Sequence, residues 1–151
     1  MLRDELKSSL TDAMRAKDSR SVATIRLILA ALKDRDIAAR DKGNMDGIGD
    51  EDILSMLQTM VKQRQESVRL YEEGGRCELA EQENEEIEVI RRFMPSQLSD
   101  AEMQAAVEET IKEIGADSIK DMGRTMAALK ERYPGRMDFA KASGLVKAAL
   151  V

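Results

Sequence analysis

A dense run of glutamates in the middle of the chain contains the residues whose type and spacing first suggest chemistry. Residues 76–88 hold six glutamates, and one of them, Glu83, falls on the apolar face of the helix predicted there. An ionised carboxylate on an apolar face needs a partner, and Arg64 and Arg76 are the cations that the predicted hairpin offers. We predict a structural polar network of Arg64, Arg76 and Glu83. An acid–base pair or a metal site is the alternative interpretation.

Other kinds of catalysis lack their usual residues. The chain has no histidine, which removes the common zinc sites and the di-iron site of helical bundles. Cys77 has no histidine to act as its base, and Ser67 has no visible activator. No phosphate-binding glycine loop occurs. The sequence predicts no catalytic constellation, no metal and no cofactor.

The C-terminal segment of the chain carries a basic excess. Residues 118–151 contain seven lysines and arginines against three acidic residues, a local charge of +4 in a chain of net charge −5. Basic helical surfaces bind a phosphate chain without reading its sequence, and an ordinary solvated face is the alternative. The predicted nucleic-acid contacts are Lys120, Gly123, Arg124, Lys130, Arg132, Arg136, Lys141 and Lys147.

Small residues recur at four-residue spacing in the same segment: Gly123 and Ala127, then Ala140, Gly144 and Ala148. Such spacing allows two helix backbones to approach closely, so packing of the last two helices against each other is the favoured interpretation. The functional alternative is that thin helices present backbone and basic side chains to a phosphate chain.

The elements that must position these residues are helices. Aromatic residues are only 3% of the chain and charged residues 35%, so the core has to come from aliphatic residues and methionines. No alternating run of β-branched residues indicates a strand. We predict an all-α protein, with an N-terminal helical bundle that includes a long helical hairpin, and a small C-terminal three-helix domain.

Caps and breakers divide the chain into predicted helices. The first has Leu6, Leu10 and Met14 on its inner face, and the polar end of the second is expected to project from the bundle. Asp50 is the expected cap of the third, the Gly74-Gly75 pair turns the hairpin, and Pro95 ends its second helix near Met94. Capping patterns are predicted at Ser99–Glu102, Ser118–Asp121 and Asp138. The predicted domains are residues 1–97 and 98–151.

Two blocks of residues closely resemble the GatB/YqeY family, which comprises small bacterial proteins and the tail of the GatB subunit of tRNA-dependent amidotransferase. The first block is Arg64-x-Glu66-Ser67, Tyr71, Gly74-Gly75-Arg76, Glu78-Leu79-Ala80, Glu83, Glu86 and Met94-Pro95-x-Gln97-Leu98-Ser99. The second is Lys120-Asp121-Met122-Gly123-x-x-Met126, Gly135-Arg136-x-Asp138 and Leu145-Val146-Lys147 to Leu150. Arg26-x-x-x-Ala30-x-x-Lys33 also fits the N-terminal halves of YqeY proteins.

The resemblance implies a helical N-terminal domain followed by a tail-like domain that docks on tRNA. It does not imply carbon–nitrogen ligase activity, because in GatB that chemistry belongs to a separate catalytic domain. The expected function is a non-catalytic accessory module that binds tRNA or a tRNA-dependent enzyme. The alternative is a helical protein-interaction scaffold without nucleic-acid binding, meeting its partner through residues 33–42 or the acidic helix.

The opening residues are charged throughout, and no apolar run approaches the length of a membrane helix. We therefore expect a cytoplasmic protein without a membrane partner. The sequence does not specify an oligomeric state.

Overall fold

Every regular element of the protein is helical. The computed structural model describes residues 1–151 and contains α1 (Leu2–Arg15), α2 (Ser19–Asp41), α3 (Asp50–Glu73), α4 (Cys77–Arg91), α5 (Asp100–Ile114), α6 (Met122–Arg132) and α7 (Phe139–Leu150). A short 3₁₀ helix, Ile119–Asp121, precedes α6. The all-α prediction is confirmed. None of these helices combines the length and the apolar character needed to cross a membrane.

The chain divides into two compact units, Met1–Met94 and Pro95–Val151. The division lies slightly before the boundary at residues 97 and 98 that the sequence suggested. The reason is hydrogen bonding, because the Leu98 N–H donates to the Arg136 carbonyl at 2.8 Å and the Gln97 amide donates to the Gly135 carbonyl at 2.6 Å. These bonds attach the connecting residues to the second unit.

The first unit is a four-helix bundle whose centre receives one fully buried side chain from each helix: Leu6, Ile28, Leu57 and Ile90. Each of these residues belongs to an apolar stripe with helical spacing, which is why the four helices can close around one core. Helices α3 and α4 form the predicted hairpin, and Gly75 at its turn has φ +74°, a conformation that glycine adopts at low steric cost. Met14 was predicted to face inward, but it is half exposed at the end of α1.

The second unit packs α5, α6 and α7 around Val107, Leu129 and Val146, all fully buried. Its first helix begins with the predicted capping box: Ser99 Oγ accepts from the Glu102 N–H at 3.1 Å, and the Glu102 carboxylate accepts from the Ser99 N–H at 3.3 Å. Asp138 caps α7 as predicted, accepting from the Ala140 N–H at 2.9 Å. The first and the last helix of the unit therefore both begin at a side-chain cap.

Two capping predictions were wrong. Asp50 is the first residue of α3 and does not cap it; its carboxylate accepts from the Leu2 N–H at 3.3 Å, because the start of α1 lies beside it. Ser118 makes no capping hydrogen bond. Asp121 instead accepts from the Asp117 N–H at 3.1 Å, a bond that spans one residue more than the Ser118–Asp121 capping box would.

The end of α2 does not project from the bundle as expected. The Arg3 guanidinium pairs with the Asp36 carboxylate at 2.6 Å and donates to the Ile48 carbonyl at 3.0 Å. Asp36 also accepts from the Ile48 N–H at 3.0 Å. The loop at Gly43–Gly49 is thus tied to α1 and α2, and Gly47 passes so close that an added Cβ would lie 2.7 Å from the guanidinium.

Replacing Asp36 by asparagine should destabilise the first unit in a pH-dependent way. The hydrogen bond from Arg3 holds the pKa of Asp36 below its ordinary value, so Asp36 stabilises the fold above the unfolded-state pKa of about 4, and this stabilisation is lost as pH falls through the folded-state pKa. We expect Asp36→Asn to lower the free energy of unfolding at pH 7 by about 1–2 kcal/mol. Urea unfolding should show the two proteins converging below about pH 4.

Asp34→Asn is the matched control, because Asp34 is exposed on the same helix. An equal loss of stability in the control, or a difference between Asp36→Asn and the parent that does not depend on pH, would contradict this account.

Candidate nucleic-acid interface

In the hairpin, Arg64 pairs with a different glutamate from the one predicted. Arg64 Nε pairs with the Glu86 carboxylate at 2.9 Å, and their side chains are only 14% and 20% exposed. Arg64 precedes Gly75 by as many residues as Glu86 follows it, so the antiparallel register places these two side chains opposite each other. The prediction that Glu83 pairs with Arg64 or Arg76 was therefore wrong. Arg76 is exposed at the start of α4.

Glu83 is a half-buried carboxylate beside this ion pair. Burial raises its pKa, and the neighbouring Glu86 carboxylate raises it further, although Arg64 opposes the rise. No group of three or more histidine, cysteine, aspartate or glutamate residues is arranged to hold a metal ion. The cluster thus consists of the Arg64–Glu86 ion pair and the Glu83 carboxylate beside it. These three side chains do not place a nucleophile next to a base.

Helices α6 and α7 carry the same pattern of residues and of burial. In residues 123–130 (GRTMAALK) and 140–147 (AKASGLVK), the first and fifth positions are small residues, the second is basic and the eighth is a lysine. The third and seventh positions are buried, and the fourth and sixth are half-buried. The buried positions are Thr125 and Leu129 in α6, and Ala142 and Val146 in α7, all fully buried. The shared spacing turns the small residues and the final lysine of each helix towards solvent.

The small residues do not form the seam between the two helices. Gly123 and Gly144 are exposed, and a Cβ added at either position would meet no atom within 4 Å. Ala127, Ala140 and Ala148 are exposed as well. The interpretation of close helix packing was therefore wrong. The small residues form exposed strips of low relief, where another molecule can approach the helix backbone.

The predicted basic contacts separate into two groups. Three arginines have partners within the unit: Arg124 pairs with Asp121 at 3.1 Å, Arg132 pairs with Glu113 at 2.5 Å, and Arg136 donates to the Ser96 carbonyl at 3.1 Å. Four lysines are exposed and their ammonium groups make no hydrogen bond or ion pair, namely Lys120, Lys130, Lys141 and Lys147. Sequence composition alone could not distinguish the two groups.

The second unit is electrically polarised. Helix α5 carries five carboxylates, Asp100, Glu102, Glu108, Glu109 and Glu113, against Lys112, whereas the unpaired lysines belong to the segments that follow it. We define the lysine face as Gly123, Ala127 and Lys130 of α6 together with Ala140, Lys141, Gly144 and Lys147 of α7, with Lys120 in the preceding turn. On each of the two helices, unpaired cations lie beside exposed small residues.

Replacing Glu83 by glutamine should stabilise the hairpin near neutral pH. A carboxylate whose folded-state pKa is raised costs stability while it is ionised, and the cost disappears once pH falls below its unfolded-state pKa of about 4.3. We expect Glu83→Gln to raise the free energy of unfolding at pH 7 by up to about 1 kcal/mol, with no gain near pH 4. Glu81→Gln, at an exposed position of the same helix, is the control; a decrease for Glu83→Gln at pH 7 would show that the carboxylate is needed.

Comparison with known proteins identifies the family. The model of the family described as "Yqey-like protein" matches residues 3–150. The chain is also similar to proteins named "Altered inheritance of mitochondria protein 41, mitochondrial". It is 35% identical to that of Lachancea thermotolerans over 72% of this chain and 57% of the relative. It is 35% identical to that of Candida glabrata over 59% of this chain and 47% of the relative.

The chain spans about half the length of the curated relatives it matches. Because their names place them in mitochondria, the expected cytoplasmic location stays a prediction. The family match covers both units and both blocks of residues on which the resemblance was based. The chain therefore belongs to the YqeY-like family.

Proposed function

We propose that this protein is a non-catalytic accessory module that binds tRNA through the lysine face of its second unit. The observation that carries the proposal is the repeated arrangement on α6 and α7, where unpaired lysines stand beside exposed small residues. Arg124 and Arg132 already pair with Asp121 and Glu113. The lysines are the cations left for a polyanion.

The geometry suits contacts to a phosphate backbone. Small residues let a phosphate approach the helix closely, and lysine ammonium groups supply charge on flexible stems. Such contacts position a nucleic acid without specifying its sequence. Binding of this kind releases counterions and is strongly salt-dependent. The acidic α5 would repel the same polyanion, so the charge distribution favours one docking orientation.

The resemblance of residues 120–150 to the GatB tail supports tRNA as the nucleic acid. Ligase activity is not part of the proposal, because nothing in the chain corresponds to the catalytic domain of GatB. A tRNA-dependent enzyme as an additional partner is compatible with this role. If RNA does not bind, the protein-interaction scaffold is the remaining hypothesis.

Removing three of the unpaired lysines should weaken tRNA binding and its dependence on salt. We expect the variant Lys130→Ala, Lys141→Ala, Lys147→Ala to bind bulk tRNA more weakly. The slope of log K against log salt should become shallower by about one for each phosphate that the variant no longer neutralises. The measurement is a fluorescence-anisotropy titration at several salt concentrations.

The matched control replaces Arg26, Lys33 and Arg40 by alanine, three exposed basic residues on α2 of the first unit. It removes the same charge and should keep the slope of the parent protein. Absence of binding at low salt, or equal slopes for both variants, would exclude the lysine face as the docking surface.

The glycines of the lysine face allow a second test that does not change charge. An added Cβ at Gly144 meets open space, so Gly144→Ala should raise the free energy of unfolding by about 0.5–1 kcal/mol and leave tRNA affinity nearly unchanged. Gly144→Leu should keep the fold but weaken tRNA binding severalfold by blocking close approach. Unchanged affinity of the leucine variant would show that the small residues have no part in binding.

A further inference from the structure

Helix α2 is apolar on two opposite faces. Its inner face supplies Ile25, Ile28 and Leu32 to the core. Its outer face also carries apolar residues at helical spacing, and two large ones, Leu27 and Ile37, are each 48% exposed. We define the outer stripe of α2 as Ala23, Leu27, Ala30 and Ile37, all of them exposed. A helix that is needed only for the core has no reason to repeat large apolar residues on its outer face.

Basic residues border this stripe along one edge. Arg26, Lys33 and Arg40 recur every seven residues, which keeps them on one side of the stripe. All three are exposed; their side chains make no hydrogen bond and no close ion pair, although Arg40 is near enough to Asp36 to help lower the pKa of that carboxyl. We call them the basic edge. An apolar stripe with charges at seven-residue spacing along its edge is the pattern of one strand of a coiled coil.

We propose that the outer stripe of α2 is a docking surface for an acidic amphipathic helix of another protein. The stripe runs from Ala23 to Ile37, about 21 Å at 1.5 Å per residue, long enough to engage several turns of a partner helix. Glutamates or aspartates flanking the partner's apolar face would pair with the basic edge. At one end of the stripe, a groove lined by Met14, Val22 and Ala23, with Lys17 and Arg26 beside it, can receive one large apolar side chain.

Charge placement argues against two other occupants. In an antiparallel pair of α2 helices from two copies of this chain, the basic edge would face itself, and in a parallel pair it would face Ala31 and Ala38, so neither arrangement offers complementary charge. Asp34 lies within the stripe between Ala30 and Ile37, which opposes insertion into an anionic membrane surface. In a helical partner the same aspartate would require a lysine or an amide opposite it and would thereby set the register.

The test selects partners instead of assuming one. A displayed library of amphipathic helical peptides, with apolar residues at the seam and random residues at the edge positions, is sorted on the full-length protein. We expect enrichment of peptides with acidic edges and one lysine or amide in the seam. Sorting on the variant Arg26→Glu, Lys33→Glu, Arg40→Glu should enrich basic edges instead. Sorting on the control Lys7→Glu, Arg15→Glu, Arg91→Glu should give the same peptides as the parent protein.

One enriched peptide is then measured in solution. Its affinity should fall at least about tenfold on Leu27→Ser, Ile37→Ser, two exposed substitutions that leave the core intact. No enrichment, or affinity that is unchanged in the serine and charge-reversal variants, overturns the proposal. The proposal is also overturned if the parent protein is a dimer that becomes monomeric in the serine variant. Binding to phosphatidylserine vesicles that is lost in the serine variant would overturn it as well. The basic edge and the lysine face share no residue, so the outcome of this experiment does not depend on the outcome of the tRNA titration.

Discussion

The ion pair between Arg64 and Glu86 is the interaction on which the organisation of the first unit depends. It lies where α3 and α4 face each other, with both side chains largely withdrawn from water. A buried pair of this kind adds little net stability compared with an apolar contact, but losing one partner leaves an uncompensated charge. The pair therefore penalises any other register of the hairpin. The correct register brings Leu57 and Ile90 into the same core.

The second unit uses its basic residues in two physically different ways. Three of its arginines bind acceptors within the unit, and a planar guanidinium can serve two acceptors at once; Arg132 binds both Glu113 and the Thr110 hydroxyl. Its lysines remain in solvent, where a compact charge on a flexible stem suits contacts to mobile phosphates. The proposed RNA surface is thus what remains after the structural needs of the unit are met.

Helix α2 shows why exposed apolar residues need to be judged with their neighbours. Single exposed leucines are ordinary on protein surfaces, and Leu27 alone would carry no meaning. The seven-residue recurrence of Arg26, Lys33 and Arg40 beside the stripe is what makes the face specific. The proposed RNA surface and this docking face lie on different units.

The sequence by itself determined the features that depend on local chemistry. The apolar periodicity of each segment, the Gly74-Gly75 turn and the Ser99–Glu102 capping box act within a few residues, and the helices and the hairpin followed from them. It could not determine which polar groups meet across the fold. Glu86 instead of Glu83 pairs with Arg64, Asp36 ties the end of α2 to Arg3, and Gly123 and Gly144 face solvent instead of each other. These outcomes depend on the rotation and register of whole helices, and only the packed core decides those.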